Sequence, residues 1–282
     1  MNPTPALAGE VAELIAPLRD DPGGSAILCD VDGTLAPIVG DPEQATVPEE
    51  TQQVLRDLVW RFALVGFVSG RRAVEARRLV GVDEAAYVGN HGLELMAPAA
   101  DEVTLDPAAA DRARAMRAFV LELETAALGD AGLRLEDKGP IQSLHWRGAA
   151  DEVSAERRAH EIAAEARRAG LQPHWGRKVL EIRPVAGIDK GTAVRRLLAG
   201  RVASRALFAG DDRTDLDAFR ALRSMAAAGD LDVAICIGIG SDEAPPDLGQ
   251  EADAVVAGPD EFLAVLRSLA SPGPPDAGPN PG

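Results

Sequence analysis

The chain has 282 residues, a length that suits one large domain or two smaller ones. Hydrophobic residues make up 46% and charged residues 26%, which is ordinary for a globular protein. Its net charge of −16 argues against a nucleic-acid partner or an anionic membrane surface, because both call for a basic patch. No secretory signal and no membrane-length apolar run is visible, which predicts a cytoplasmic protein. Cys29 and Cys236 lie in apolar runs, which favours buried thiols over a disulfide.

The first hundred residues alternate between helix and strand patterns. Helices are predicted at residues 6–19, 48–61 and 72–80, and strands at residues 26–29, 62–68 and 87–89. The strands are short, apolar and separated by helices. This arrangement is typical of a parallel sheet with both faces buried.

The alternation changes near residue 100. The predicted elements are then a helix at 106–128, strands at 133–136 and 141–146, a helix at 151–169, and strands at 172–175 and 179–183. Short turns join neighbouring strands, and such turns produce antiparallel pairs. This αββαββ segment is therefore predicted to form a small α+β unit of its own.

The alternation of helix and strand patterns resumes after residue 186. Helices are predicted at residues 190–198, 214–222 and 260–269, and strands at residues 205–208, 233–239 and 254–256. The sequence thus predicts an α/β fold, with a doubly wound parallel-sheet core and an inserted α+β cap domain. The core comprises residues 1–105 and 186–270, the cap spans 106–185, and the Pro/Gly-rich tail at 271–282 is predicted to be disordered.

Polar side chains collect where the predicted parallel strands end. In doubly wound sheets, ligands bind beyond the carboxyl ends of the strands. The residues expected at this edge come from distant parts of the chain and are Asp30, Asp32, Thr34, Ser69, Gly70, Arg71, Lys190, Asp211, Asp212 and Asp215. Arg71 has an alternative role in a structural ion pair.

Carboxylates that converge on one point repel each other unless a cation lies between them, and oxygen ligands suit Mg²⁺. With Mg²⁺ present, Asp30 can attack a phosphate ester and form an aspartyl-phosphate. Asp32 can protonate the leaving alcohol and later activate water, while Lys190 supplies positive charge. The predicted metal ligands are Asp30, Asp32, Asp211, Asp212 and Asp215, and the predicted phosphate-binding residues are Thr34, Ser69, Gly70 and Arg71.

These residues resemble the four signatures of the haloacid dehalogenase superfamily, in the same order along the chain. The signatures are Asp30-Val31-Asp32-Gly33-Thr34-Leu35, Ser69-Gly70-Arg71, Lys190, and Gly210-Asp211-Asp212-Arg213-Thr214-Asp215. The resemblance covers residues 25–265. It implies a Rossmann-like core and magnesium-dependent phosphoryl transfer through the first aspartate, Asp30.

A narrower resemblance is to the trehalose-6-phosphate phosphatases. It is carried by Gly89-Asn90-His91-Gly92-Leu93-Glu94, Glu136-Asp137-Lys138-Gly139, His145-Trp146-Arg147, Lys178-Val179-Leu180-Glu181-Ile182-Arg183-Pro184 and Asp189-Lys190-Gly191. It implies that Lys138 and Glu181 reach sugar hydroxyls from the cap and that Asn90, His91 and Gly92 line the sugar pocket. The chain departs from this family at Leu216, where the family usually has Glu.

Two alternatives to trehalose 6-phosphate hydrolysis remain open at this stage. One is a phosphatase for another sugar phosphate, such as sucrose phosphate or a glycosyl-glycerate phosphate. The other is a catalytically silent sugar-phosphate sensor or partner-binding protein, which is motivated by Leu216 and by the irregular segment after Arg223. In each case the partner is a small sugar phosphate, with no nucleic acid or membrane, and a monomer is expected. Trp146 and Trp175 are interpreted as cap core, and Glu94 as structural.

Overall fold

The computed structural model describes residues 9–39, 44–123, 125–184, 187–200, 203–241 and 244–271. Its strands are β1 (Ser25–Cys29), β2 (Leu64–Val68), β3 (Ala86–Gly89), β4 (Glu94–Met96), β5 (Thr104–Leu105), β6 (Arg134–Asp137), β7 (Gln142–His145), β8 (Gln172–Gly176), β9 (Val179–Arg183), β10 (Arg205–Gly210), β11 (Val233–Ile239) and β12 (Ala254–Val256). Its helices are α1 (Gly9–Leu14), α2 (Ala16–Asp20), α3 (Glu49–Arg61), α4 (Ala73–Val80), α5 (Pro107–Glu122), α6 (Thr125–Asp130), α7 (Glu152–Arg168), α8 (Lys190–Leu198), α9 (Asp215–Ala228), α10 (Leu248–Glu251) and α11 (Gly258–Ala270).

Within these ranges, eight strands form the larger sheet in the order β12-β11-β10-β1-β2-β3-β4-β5. The pairs from β12 to β3 are parallel, which confirms the predicted parallel core. The strands β4 and β5 extend the sheet in antiparallel pairing and were not predicted. They have only three and two residues, too few for a strand period to appear in the sequence.

Helices cover both faces of this sheet. Along β1, Ile27 and Cys29 face one apolar cluster, which also contains Leu55 of α3 and Phe262 of α11. Ala26 and Leu28 of β1 face a second apolar cluster, which also contains residues of α8 and α9. The strand β1 is apolar on both faces and is covered by helices on both faces, which agrees with the predicted doubly wound fold. None of the helices in the described ranges combines the length and apolar character of a bilayer-spanning segment.

The second sheet lies between β5 and α8 in the chain, and we call residues 106–184 the insert. Its strands are antiparallel, in the order β6-β7-β9-β8, as predicted. The predicted helix at 106–128 is instead two helices, because Leu123 leaves the helical region with φ −76° and ψ 101°. The break lets Leu123 and Leu128 both enter the insert core, although their spacing of five would place them on different faces of one helix.

The proposed domain boundaries at 105/106 and 185/186 remain predictions. Residues 185 and 186 lie outside the described residues, and so do 272–282 of the predicted tail. The first helix, predicted at 6–19, is described from Gly9 onward and is interrupted at Ile15. Both cysteines are free and buried, in agreement with their interpretation as buried thiols.

The insert has a hydrophobic core of its own, and Trp146 is central to it. Trp146 is 4% exposed and packs edge-on against Trp175 with 6.1 Å between ring centroids. The same cluster contains Phe119, Leu144 and Ile162, which come from a helix, a strand and another helix. Trp146 is thus a core residue, as predicted.

We expect Trp146→Ala to lower the free energy of unfolding by about 3–5 kcal/mol, because it leaves a cavity in the insert core. Urea unfolding followed by circular dichroism measures the loss. The matched control is Trp60→Ala on α3, where the side chain is 81% exposed and the expected change is below about 0.5 kcal/mol. Unchanged stability combined with a raised KM for the substrate would instead assign Trp146 to ligand binding.

Candidate active site

The parallel sheet gathers the predicted catalytic residues at one edge. Asp30 directly follows β1, Ser69 follows β2, and Asp211 follows β10, the strand that pairs with β1 on its other side. The fourth segment arrives as the first turn of α8, where Asp189 accepts a hydrogen bond from the backbone N–H of Thr192 and caps the helix. Lys190 is therefore placed at the helix start, facing the strand ends.

Lys190 is the electrostatic centre of this edge. Its side chain is 2% exposed, and its Nζ lies 3.0 Å from Oδ1 of Asp30 and 2.7 Å from Oδ1 of Asp215. Burial opposes its charge, but these carboxylates hold the pKa of Lys190 above its ordinary value. Asp215 in turn accepts hydrogen bonds from the backbone N–H groups of Asp211 and Asp212, each at 3.0 Å.

Three buried carboxylates converge beside Lys190. Ligand oxygens of Asp30, Asp211 and Asp215 all lie within 4.8 Å of one another. Burial and the neighbouring carboxylates raise the pKa of Asp30 and of Asp211 to about 7. Such crowding of negative charge is relieved by a divalent cation, so these oxygens form a candidate metal site.

Asp212 and Asp32, the other predicted metal ligands, are more exposed. The Asp212 side chain is 51% exposed and accepts hydrogen bonds from the Thr214 backbone N–H and hydroxyl, each at 2.7 Å. Burial opposes ionisation of Asp212, but Lys190 and Thr214 lower its pKa to about 2. The Asp32 side chain is 39% exposed and faces the cavity described below.

Glycines allow the acidic segments to pack against each other. Gly33 has φ +82°, and a Cβ at this position would overlap the Asp211 carboxylate. At Gly210, a Cβ would overlap the side chain of Asp215. Thr34 follows Gly33 and lies 3.3 Å from Asp211, to which its hydroxyl donates a hydrogen bond. The two aspartate motifs are thus in direct contact.

Arg71 forms the ion pair that the sequence left as an alternative. Its Nε and a terminal nitrogen donate to the two oxygens of Asp32 at 2.8 and 2.7 Å. Its backbone N–H donates to the Ser69 hydroxyl at 3.1 Å. Of the four predicted phosphate-binding residues, Gly70 and Arg71 line the cavity, whereas Thr34 and Ser69 have no exposed surface.

A cavity of about 530 Å³ joins this edge to the insert. The core contributes the charged groups described above, together with His91, Glu75 and an apolar rim at Ile38 and Val39. The insert contributes Glu136, Lys138, His145 and Glu181. The core carboxylates and the polar face of the insert sheet therefore share one cavity, whose volume is in the range of small-molecule sites.

The insert side of the cavity is a chain of charged groups. Oε2 of Glu181 accepts a hydrogen bond from Arg183 at 2.8 Å, and Oε1 accepts one from Nζ of Lys138 at 3.4 Å. Burial alone would raise the pKa of Glu181, but the positive charges of Lys138 and Arg183 and the hydrogen bond from Arg183 lower it to about 2. Glu181 is therefore an ionised acceptor held between two cations.

Of the three loop residues predicted to line the sugar pocket, Asn90, His91 and Gly92, only His91 lines the cavity. His91 lines the cavity, and burial together with the Arg183 charge lowers its pKa to about 3, so that its imidazole is neutral. Asn90 is fully buried, and its Nδ2 donates to the carbonyl of Lys138 at 2.9 Å. Gly92 has φ +121°, and a Cβ there would lie 2.9 Å from the carbonyl oxygen of Asp189. Asn90 and Gly92 thus support the loop rather than line the cavity.

Several cavity residues were absent from the predicted set. Glu136 and His145 line the cavity as a pair with 2.6 Å between Oε2 and Nε2, and Arg183 lies behind the lining, where it donates to Glu181. A usable signal was the strand period: Glu136 lies two residues before Lys138, and Arg183 lies two residues after Glu181. Glu75 gave no such signal, because its place at the cavity depends on how α4 packs.

The sequence analysis also singled out two residues that lie outside the cavity, Leu216 and Glu94. Leu216 is 1% exposed and packs in the apolar cluster of α8, α9 and the sheet, so this departure from the family pattern fills the core. Glu94 is buried and accepts a hydrogen bond from the backbone N–H of Ala73 at 2.8 Å. It caps the start of α4, which agrees with its structural interpretation.

Comparison with known proteins places this site in a family. Trehalose 6-phosphate phosphatase RA3 of Zea mays is 34% identical over 260 residues, which cover 86% of the chain and 68% of the maize protein. Probable trehalose-phosphate phosphatase 9 of Oryza sativa subsp. japonica is 31% identical over 231 residues, which cover 70% of the chain and 59% of the rice protein. The chain thus spans only part of these plant proteins.

A solved structure supports the same placement. The crystal structure of a trehalose-6-phosphate phosphatase related protein matches with a TM-score of 0.67 and 27% identity, covering 87% of the chain and 96% of that protein. The family model described as trehalose-phosphatase matches residues 28–243, which include every residue of the site from Asp30 to Asp215. Because this match spans most of its length, the chain belongs to the trehalose-phosphatase family.

Proposed function

We propose that this protein hydrolyses trehalose 6-phosphate to trehalose and inorganic phosphate. The observation that carries the proposal is the single cavity in which Asp30 and Lys190 face Lys138 and Glu181 of the insert. One end presents a carboxylate nucleophile next to a cation, as a phosphate ester requires. The other end presents charged hydrogen-bonding groups, which suit the many hydroxyls of a disaccharide. Family membership supports the same assignment.

The proposed reaction has two steps at Asp30. A carboxylate oxygen of Asp30 attacks phosphorus, the bond from phosphorus to the sugar oxygen breaks, and Asp32 gives a proton to that oxygen. Water then attacks the aspartyl-phosphate, Asp32 takes a proton from it, and phosphate leaves with Asp30 restored. Both oxygens of Asp32 accept hydrogen bonds from Arg71 in the structure, so Asp32 can carry the proton that it gives only once one of these bonds has opened.

The donor set fits Mg²⁺, which we propose as the cofactor. The site offers oxygen ligands, and the pKa values of Asp30 and Asp211 are raised because burial and the neighbouring carboxylates disfavour their charged forms. Asp30, Asp211 and Asp215 would hold the ion, with Asp32 and Asp212 as the further predicted ligands. When bound, Mg²⁺ supplies the positive charge that lets an anionic phosphate approach these carboxylates.

Phosphate binding is assigned to the loop after β2 and the turn after β1. The backbone at Gly70 lines the cavity, and Thr34 and Ser69 lie buried behind it. We propose that the backbone amides of these segments contact the phosphoryl oxygens, with Thr34 and Ser69 fixing their positions. Lys190 faces the same space from the start of α8.

We assign sugar recognition to Lys138, Glu181 and His91. Lys138 donates, ionised Glu181 accepts, and neutral His91 can do either, which together match hydroxyl groups that both donate and accept. Another disaccharide phosphate, such as sucrose phosphate, is the competing substrate. The silent-sensor alternative is less favoured, because Leu216 lies in the apolar core and Lys190 is paired with Asp30. A cytoplasmic location and a monomeric state stay predictions.

A substrate panel tests the proposal. We expect phosphate release to be fastest with trehalose 6-phosphate, slower with sucrose phosphate and slowest with glucose 6-phosphate. A chelator should abolish release, and added Mg²⁺ should restore it. We expect Asp30→Asn to lower turnover by at least about 10³-fold while the circular dichroism spectrum stays that of the parent. Equal rates on all three esters would refute the substrate, and an active Asp30→Asn variant would refute the nucleophile.

The insert contacts are tested separately by Lys138→Ala and Glu181→Gln. Each is expected to lower kcat/KM for trehalose 6-phosphate by about tenfold or more, because each removes a hydrogen bond to a charged group. The loss for glucose 6-phosphate should be much smaller. Lys178→Ala is the matched control, since Lys178 is in the insert but pairs with Glu152 outside the cavity. Equal losses of kcat/KM on both esters would show that Lys138 and Glu181 do not contact the second glucose unit of trehalose 6-phosphate.

A further inference from the structure

Glu136 and His145 line the insert side of the active-site cavity, and neither has a role in the proposed reaction. They lie on neighbouring strands, Glu136 on β6 and His145 on β7. The antiparallel register places Ser143, two residues before His145, directly opposite Glu136, so the acid and the imidazole are diagonal neighbours on one face of the sheet. Oε2 of Glu136 and Nε2 of His145 are 2.6 Å apart. The two side chains therefore form one hydrogen-bonded unit in the cavity wall.

Glu136 differs in its partners from Glu181, the other acid that the insert contributes to the cavity. The two acids lie on β6 and β9, on either side of β7. Glu181 has a cation at each oxygen, Lys138 at Oε1 and Arg183 at Oε2. Among the described residues, the Glu136 side chain has a hydrogen bond only to His145, through Oε2. Oε1 of Glu136 is therefore an acceptor that a ligand in the cavity can use.

The position of the proton on His145 decides what this residue does. Burial lowers the pKa of His145, Glu136 opposes this shift through its hydrogen bond and charge, and the charges of Arg134 and Lys138 support it. From β9, the apolar Val179 lies opposite His145. The imidazole is therefore neutral at neutral pH, and the nitrogen that contacts a carboxylate oxygen is the one that carries its proton. His145 thus donates from Nε2 to Oε2 of Glu136.

We propose that His145 is a positioning residue for sugar recognition. It holds Oε2 of Glu136 and so presents Oε1 to a hydroxyl of the sugar in the cavity. This inference rests on the proposed function, because it takes the ligand of Glu136 to be the sugar part of a phosphate ester. An unheld carboxylate side chain samples several rotamers, and fixing one of them before the substrate arrives lowers the entropic cost of binding. The His145 side chain is 26% exposed and does not belong to the apolar cluster of the insert, so packing does not account for it.

Steady-state kinetics with trehalose 6-phosphate test this role. We expect His145→Phe to raise KM at least about fivefold and to leave kcat within about twofold, because a sugar contact is the same in the substrate and the transition state. His145→Gln should keep KM within about twofold of the parent, because its amide places a donor near the Nε2 position. The shorter His145→Asn should raise KM as His145→Phe does.

His174→Phe is the matched control for these variants. His174 lies on β8 of the same sheet, directly opposite Glu181, and does not line the cavity. Among the described residues, it forms neither a hydrogen bond nor a salt bridge. We expect its substitution to change KM by less than about twofold. A loss as large as that of His145→Phe would mean that any histidine on this sheet has the effect, which would overturn the inference.

A double-mutant cycle shows whether His145 acts through Glu136. In a Glu136→Ala background, His145→Phe should change KM by less than about twofold, because the group that it positions is already gone. An undiminished effect in that background, or equal KM values for His145→Gln and His145→Asn, would refute the positioning role. The comparison of the Gln and Asn variants decides the question if the Phe variant fails to fold.

The parent enzyme separates this test from that of the proposed function. Absence of trehalose 6-phosphate turnover by the parent would refute the proposed function and this inference with it. Turnover by the parent, together with parental KM values for His145→Phe and His145→Asn, would refute the role of His145 alone.

Discussion

The buried ammonium group of Lys190 is the contact on which the catalytic edge depends. It lies against Asp30 and Asp215 with almost no exposure, and Asp211 is close by. One positive charge thus serves three buried carboxylates, and breaking such an arrangement by removing one partner costs about 3–5 kcal/mol in typical proteins. The remaining negative charge is the feature that makes this edge a candidate metal site. The same excess of negative charge therefore limits the stability of this edge and favours cation binding there.

The parallel topology is what makes this imbalance possible. Asp30 follows β1, Asp211 follows β10 and Asp215 begins α9, so the pairing of β1 with β10 brings the two acidic segments together at one edge. The strands are held by apolar clusters on both faces, which supply the stabilisation that the charged edge lacks. Close approach of the segments then needs glycine at Gly33 and Gly210, where a side chain would displace an aspartate. Burial in the core thus offsets the cost of the site.

Features with a local signal could be predicted from the sequence. The strand before Asp30 is a continuous apolar run, and the start of α8 at Lys190 carries its own cap in Asp189, so both were placed correctly. The antiparallel β4 and β5, the break at Leu123 and the pairing of Arg71 with Asp32 depend on contacts between distant segments. Leu216 shows the same limit, since its burial in the apolar cluster is a property of packing that no motif records.

The 137–142 turn connects the two halves of the proposed function. The carbonyl of Lys138 accepts a hydrogen bond from the buried Asn90, so the backbone of this cavity-lining lysine is held to the core as well as to the insert. The Glu181 carboxylate is in turn located by Lys138 and Arg183. The Asn90 hydrogen bond therefore locates the backbone of Lys138 relative to the strand ends that carry Asp30 and Asp211. Under the proposed function, this contact links sugar recognition by the insert to the chemistry at the edge of the core.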